Sequence, residues 1–517
     1  MHEYDRAVGA TVTGGLQLAL GLITSNIAVG LSSIVFARML GPAQYGIFSI
    51  VLAPILLVSA TLGISDALIA KLPDMALKGG HNLIRKYILL GSALSVLSGI
   101  LWFLPITIFS EAVSTYLLSR PGVEQLVAVG AASIPFFALM HVSVAAGIGL
   151  RKSRLSSVVI AAQPVLRLIL GIVLLLLGAA VYGVVLAHTV SVAFAALLGL
   201  ALIMRSVSAT SQPSSTQSWK DVAASILGFG LPAYAAKISF GLFSLSQNLV
   251  LARFVTNEEL GYFAVAVNFM ALFNIINLPI QQTLFSSFAY LSSSQEAELN
   301  RFYNFGVKLV SFLLVPASLF VLLFSGDLVD LLYGQQYGRA SLYVSLYVSV
   351  FLLCGVGLHV NDSYLNGTGR VRKTMLSNLF QLAVLLFVGV ALTAFFGVIG
   401  MLLSVIVAVG SKVFLLNMMI RHELRISVEK VLPVYLTAGA AIGVSYAVSL
   451  VSRLLFNHGF IPGILVFTLT ALVLAPKLGA ITKDELAYLL SNTKLPKTVL
   501  FAMRGLHSLW GRLKLIR

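Results

Sequence analysis

The sequence predicts an all-α polytopic membrane protein of about fourteen transmembrane helices, two parallel lobes of six followed by two more. Three observations carry that expectation. Of 517 residues, 58% are hydrophobic and 10% are charged, with a mean hydropathy of +0.98. Apolar runs recur at lengths near 20 residues, the number a helix needs to cross the hydrocarbon core. One short turn is also written twice, at an offset of 215 residues.

The first copy, Ala37-Arg38-Met39-Leu40-Gly41-Pro42-Ala43-Gln44-Tyr45-Gly46-Ile47-Phe48, closes one apolar run and opens the next. The second, Ala252-Arg253-Phe254-Val255-Thr256-Asn257-Glu258-Glu259-Leu260-Gly261-Tyr262-Phe263, does the same. Ala, Arg, the second Gly and the closing Phe recur in register. A repeat of this length exceeds the roughly 20–50 residues of solenoid units. It points instead to a duplicated membrane bundle.

Composition excludes a water-soluble core, which could not hide this much apolar surface. The lone Cys354 lies inside an apolar run, which removes disulfide frameworks and cysteine-based metal sites. Met1 to Arg6 carries Glu3 and Asp5 and leads into a long span without a small-residue cleavage site, so an uncleaved first helix is expected.

The expected spans run near 12–37, 43–69, 86–108, 123–148, 155–178 and 181–204 in the first half. They continue near 222–252, 259–290, 303–325, 341–366, 375–396 and 397–420, and then 430–452 and 458–476. This divides the chain into an N-terminal lobe (1–205), a Ser-rich cytoplasmic linker (206–220) and a C-terminal lobe (221–420). Two additional helices (421–476) and a basic amphipathic tail (477–517) follow. In the tail, Thr482-Lys483-Asp484-Glu485 has capping-box spacing, and Leu500, Met503, Leu506, Trp510 and Leu513 recur at helical spacing. An interfacial helix is expected there, with a tail that folds on meeting a partner as the alternative.

The net charge of +16 resembles a nucleic-acid signature until its distribution is followed. Of 34 basic residues, 26 fall on the side of the termini and even-numbered loops, and five (Arg38, Arg120, Arg253, Arg339 and Arg453) on the other. The bias places both termini in the cytoplasm of a cell-membrane protein and leaves no role for nucleic acid. A second echo, Gly147-Ile148-Gly149-Leu150-Arg151-Lys152-Ser153 against Gly367-Thr368-Gly369-Arg370-Val371-Arg372-Lys373-Thr374, supports the duplication and places bases where anionic headgroups lie. Gly183-Val184-Val185 and Gly397-Val398-Ile399 form a weaker third.

No catalytic constellation, phosphate-binding loop, cofactor motif or metal-ligand spacing is present in the sequence, so a non-enzyme without cofactor is expected. The informative residues are ionisable groups within spans. Arg167 and Lys237 fall near the middle of the fifth and seventh spans, each costing roughly 2.5–3.5 kcal/mol if it faced lipid. With no carboxylate at matching depth, they suggest a wet cavity of positive potential suited to an anionic substrate; snorkelling or bonding to carbonyls near Pro164 or Pro232 is the alternative. Neither cation is duplicated. Asn26, Gln163 and Gln381, with Thr24, Ser25 and Asn378, could supply hydrogen bonds to such a substrate. Asp66 and Asp362 could couple an ion, although pairing with a loop base accounts for them more simply. Lys412 reads as an interface anchor or a cavity cation, and His141, His188 and His359 as packing residues.

The pattern Ala37-Arg38-x-Leu40-Gly41-Pro42-x-x-Tyr45-Gly46 resembles the first-loop signature of polysaccharide and lipid-linked oligosaccharide flippases, the Wzx-type group. These belong to the multidrug/oligosaccharidyl-lipid/polysaccharide exporter (MOP) superfamily. Leu331-Leu332-Tyr333-Gly334-x-x-Tyr337 and Pro279 with Phe285-Ser286 are similar to its later motifs. The resemblance implies two six-helix lobes forming a V-shaped cavity that opens alternately to either side. It also implies an anionic glycan on a polyprenyl phosphate or pyrophosphate as cargo, with membrane lipids and glycan polymerase or glycosyltransferase machinery as partners. Many members carry an acidic-basic pair late in the seventh span, where this chain has Gln247-Asn248. The alternative is a multidrug exporter of the same superfamily, whose organic cations call for carboxylates at mid-depth.

Overall fold

The computed structural model describes residues 2–58, 63–77, 80–207, 217–292, 296–424, 426–456, 460–480 and 482. The tail, most of the linker and the Thr482–Glu485 capping box therefore lie largely outside the described residues. No strand occurs among those described. The first half contains α1 (His2–Val58), α2 (Ile64–Leu77), α3 (His81–Ile108), α4 (Glu124–Ala131), α5 (Ser133–Gly149), α6 (Ser153–Leu176) and α7 (Ala180–Ser206). Then come α8 (Trp219–Phe254), α9 (Asn257–Leu291), α10 (Glu296–Tyr333), α11 (Ala340–Val348), α12 (Val360–Gly367) and α13 (Val371–Ile420), followed by α14 (Val428–Phe456) and α15 (Phe460–Lys477).

Among the described residues the expected spans fall largely on helix, but the boundaries differ in three informative places. The first span and residues 43–58 of the second run together as α1, turning at Gly41 (φ 74°, ψ 167°), and the second span's remaining described residues open α2. The eleventh and twelfth run together as α13, turning at Gly397 (φ 57°, ψ −134°). Both dihedral pairs are open to glycine at little cost, so a change of direction needs no loop. The tenth span is broken: Ala340–Val356 and α12 meet at a bend of 52°. Among the described residues, ten helices are long and apolar enough to cross a membrane, or up to eleven with the bent pair. Large apolar side chains stand bare on their outer faces, among them Leu176 at 74%, Phe387 at 85% and Leu454 at 87% exposure. Such surface belongs against lipid, and the chain is a multi-pass membrane protein.

The chain forms two compact units, residues 1–264 with 389–401, and 265–388 with 402–517. In the first, α6 packs on α1 and α7, and α5 packs on α3 and α7. Small residues line these contacts: Ala138, Ala146, Ala187, Ala195 and Ala196 are fully buried, and Gly199 lies against Ser143. Close backbone approach replaces the hydrophobic drive that lipid removes. In the second unit, α10 packs on α11 and α14, and α14 on α15. Tyr435 of α14 enters the broken span, accepting from Gly355 N at 3.0 Å and donating to Leu352 O.

The repeated turn has a structural purpose within the first unit. Ala37 and Ala252 are completely buried, and the two copies meet backbone to backbone. A Cβ on Gly46 would lie 2.7 Å from Gly261 N and nearer still to Asn257 O. A Cβ on Gly261 would lie 2.7 Å from Pro42 C and nearer still to Pro42 O. Duplicated glycines thus face each other across a local two-fold relation. Arg38 and Arg253 point outward and are exposed.

Arg120, which the sequence marks only as an outer-side base, completes this junction. Its guanidinium donates to Ser119 O and Ala252 O at 2.7 Å each, and also to Val255 O and Asn257 Oδ1. A cation is thereby placed at the carbonyl end of α8, where the helix dipole favours it. A single Arg before Pro121-Gly122 was the available sequence signal.

Candidate functional site

The sequence-predicted site residues separate into two groups. In the first unit, Arg167 lies on α6, one turn beyond Gln163. Gln163 is buried and its Nε2 donates to Ser191 Oγ of α7 at 3.2 Å, which fixes the facing of the two helices. Tyr45 of α1 and His188 of α7 lie within electrostatic reach of Arg167. Tyr45 OH and Ser33 Oγ are 3.1 Å apart. The Phe36 ring fills the space beside Gly171 one turn further along α6.

Arg167 forms no hydrogen bond or ion pair among the described residues. Its Nε is enclosed without a partner, whereas the side chain as a whole is partly exposed. The guanidinium therefore has donors that no described residue claims. Both ring nitrogens of His188 are likewise enclosed and unpartnered, and its ring stacks on Phe137 at 6.4 Å. Asn26 is exposed on α1, and Asp66 is half-buried in the first turn of α2. Lys237 lies in a stretch of α8 whose side chains are outside the described residues.

The second unit holds Gln381, half-buried on α13, and Asp362 on α12. Asp362 does not pair with a loop base. Its Oδ2 accepts from Lys412 Nζ of α13 at 2.8 Å, with side-chain exposures of 20% and 11%. The bend before α12, with His359 at φ 70°, turns Asp362 towards α13. Lys412 is therefore a buried counter-ion and not a headgroup anchor. Asp362 Oδ1 and His359 Nε2 remain enclosed without partners among the described residues. Beside them Tyr303 OH donates to Asn361 Oδ1 at 2.6 Å, Asn361 Nδ2 to Asn417 Oδ1 at 2.9 Å, and Asn417 Nδ2 to Val356 O at 2.9 Å. The Asp362–Lys412 pair links residues fifty apart, which explains why no local charge pattern announced it.

The echoed Gly-rich turns perform matching work in the two units. Lys152 Nζ donates to Ser206 O at the end of α7. Arg370 pairs with Glu423, three residues beyond the end of α13, and Tyr364 OH donates to the same carboxylate oxygen at 2.7 Å. A base expected at the lipid headgroups is thus engaged in tying down the last helix of each half. Burial pushes the Glu423 carboxyl upward, but the hydrogen bonds from Arg370 and Tyr364 outweigh it and hold the group below its ordinary value. A depressed folded value means the stabilisation is present above about pH 4.3 and fades as pH falls through the lower folded value. Glu423→Gln should accordingly melt below wild type at pH 7, with the gap closing as the sample is taken below about pH 4; a gap unchanged with pH would contradict the pairing.

Residues 35–342 match the family model described as "Polysaccharide biosynthesis protein". No curated protein matches the chain. The fold is similar to a lipid II flippase, MurJ, in an inward closed conformation, with a TM-score of 0.71 at 13% identity over 89% of this chain and 98% of that one. It is similar to an inward-facing multidrug resistance MATE family transporter of the MOP superfamily, with a TM-score of 0.66 at 14% identity, covering 78% and 97%. A MOP superfamily transporter from Pyrococcus furiosus, described as having reverse polarity of its binding pocket, matches with a TM-score of 0.57 at 16% identity, covering 80% and 95%. The chain belongs to the polysaccharide biosynthesis protein family and carries the fold shared by MurJ and the MATE transporters.

Proposed function

We propose that the protein is an alternating-access flippase, and not an enzyme, that carries a polyprenyl-phosphate- or pyrophosphate-linked oligosaccharide from the cytoplasmic to the outer leaflet of the cell membrane. The observation that carries this reading is Arg167, a cation within a span that no hydrogen bond or ion pair claims among the described residues and whose Nε is enclosed without a partner. Such a charge is costly in hydrocarbon and supports an anionic cargo. The polar glycan headgroup cannot cross unaided, because its hydrogen bonds to water would be lost without replacement. Asn26, Gln163, Gln381 and Lys237 are the groups assigned to supply substitutes. With the cytoplasm negative and both termini on that side, outward movement of one negative charge is favoured by about 2.3 kcal/mol per 100 mV. The potential can drive the flip without ion coupling, and Asp362, being paired with Lys412, has less freedom to bind an ion.

The two lobes are assigned to residues 1–205 and 221–420, joined by the linker, with 421–476 and the basic tail as additions suited to partner machinery. Likeness of fold to a MATE transporter gives a multidrug exporter as the second reading.

Hydrogen bonds to a charged group contribute about 1.5–3 kcal/mol, so Arg167→Ala should lower glycan export at least about tenfold. Lys237→Ala should act in the same direction. The measurement is surface glycan in a strain lacking the native gene, with membrane protein level as control. Normal surface glycan from the Arg167→Ala/Lys237→Ala double variant would overturn the anionic-cargo reading.

A further inference from the structure

At the end of α13 the second unit opens a cavity of about 460 Å³ that the transport reading does not use. Its walls include Tyr303 of α10, Asn417 and Ile420 of α13, and Arg421, His422 and Leu424 of the turn that follows. The volume is in the range of sites for small molecules and headgroups. Its position is set by the sequence: a 50-residue apolar helix ends at Ile420, and the next residue is a base. The cavity therefore lies where the hydrocarbon region gives way to the interface, on the side of the basic loops.

The turn sorts its charges. Its acidic side chain, Glu423, is not part of the wall, because Arg370 and Tyr364 hold it. Arg421 Nε donates to His422 Nε2 at 3.2 Å, leaving the two Nη groups without a protein partner among the described residues. The backbone of the turn is pinned, with Glu423 N and Leu424 N both bonding to Ile420 O at 2.9 Å and Ser427 N to Asn304 Oδ1 at 2.7 Å. Deeper in the wall, the amide of Asn417 and the hydroxyl proton of Tyr303 are already committed to Val356 O and Asn361. What remains is a recess with guanidinium donors unclaimed among the described residues at its rim and Ile420 and Leu424 inside.

We propose that this recess binds the phosphate headgroup of an anionic phospholipid from the leaflet on the basic-loop side. Arg421 supplies paired N–H donors to phosphate oxygens, a geometry that guanidinium matches and ammonium does not. The apolar wall receives the start of the acyl region, and basic recesses between helices at this face are suited to such headgroups. The bound lipid touches α10 and the end of α13 together.

The test is native mass spectrometry of the full chain, extracted from nanodiscs of phosphatidylcholine containing phosphatidylglycerol. Wild type should retain a phosphatidylglycerol molecule. Arg421→Ala should weaken retention about fivefold, and Arg421→Ala/His422→Ala further, at unchanged melting temperature. Arg421→Lys should fall between. Arg372→Ala, on the same face but not in the wall, should retain lipid as wild type does. Equal loss from Arg372→Ala would reduce the effect to general surface charge and overturn the site, as would undiminished retention in the double variant. Equal retention of phosphatidylcholine, or displacement of the lipid by inorganic phosphate at millimolar concentration, would overturn the assignment to anionic phospholipid. If Arg421→Ala lowers the melting temperature, the retention of Arg421→Lys decides: retention as weak as in Arg421→Ala, at wild-type melting temperature, also overturns it.

Discussion

Lys412→Met is expected to destabilise the protein by about 3–5 kcal/mol, the cost of leaving a buried charge without its partner. Asp362 sits with one oxygen on Lys412 and the other enclosed and unpaired, so removing the ammonium strands the whole carboxylate. Asp362→Asn alone should be costly in the mirror-image sense, stranding a cation. The double variant Lys412→Met/Asp362→Asn should regain most of the loss, since replacing both members of a buried pair is often neutral. Thermal unfolding of the detergent-solubilised variants reads all four arms. Additive losses in the double variant would contradict the pairing.

Gly46→Ala and Gly261→Ala are the second pair of large effects. In each case the added methyl meets backbone of the opposing turn, which cannot rotate out of the way as a side chain can. Overpacking of this kind costs about 1–3 kcal/mol at one position, and the valine variants should fail to accumulate in the membrane. Gly30→Ala is the control, because its Cβ would meet nothing within 4 Å, and alanine is the better helix former. Arg120→Ala should weaken the same junction, so its effect should be less than additive with Gly261→Ala. Melting of Gly261→Ala at the wild-type temperature would mean that the two copies of the turn do not meet.

The sequence made helices legible because they are written in long, redundant signals. Apolar runs near the length of a span identify helices with little dependence on any one residue, and the repeated turn is visible at a fixed offset. Junctions were less legible. Gly41 and Gly397 read as ends of helices, whereas each allows one helix to turn and continue. The break at Gly357 and His359 was hidden inside a run that looked like a single span.

Of the candidate site, the singular cation Arg167 could be picked out because an arginine in an apolar run has no ordinary reason to be there. Its neighbours could not be. Tyr45 and His188 reach it from other helices, and their proximity is a property of packing. Asp362 and Lys412 were both visible as charges in spans, but their partnership depends on a bend whose direction no periodicity records. Topology alone places Arg120 and Arg370 at membrane surfaces, whereas both hold helix ends. A basic residue near a helix terminus has two available counter-charges, lipid phosphate and the helix's own carbonyls, and composition does not choose between them.

The most direct test of transport is movement of cargo by the purified full chain in sealed proteoliposomes. A fluorescent oligosaccharide on polyprenyl pyrophosphate is placed in the inner leaflet, and its arrival outside is read with a membrane-impermeant quencher under an imposed potential. The expected result is arrival that depends on the protein, accelerates when the interior is negative, and falls at least about tenfold with Arg167→Ala. Failure of the glycan lipid to move, together with ion-gradient-driven passage of an organic cation through the same protein, would contradict the flippase.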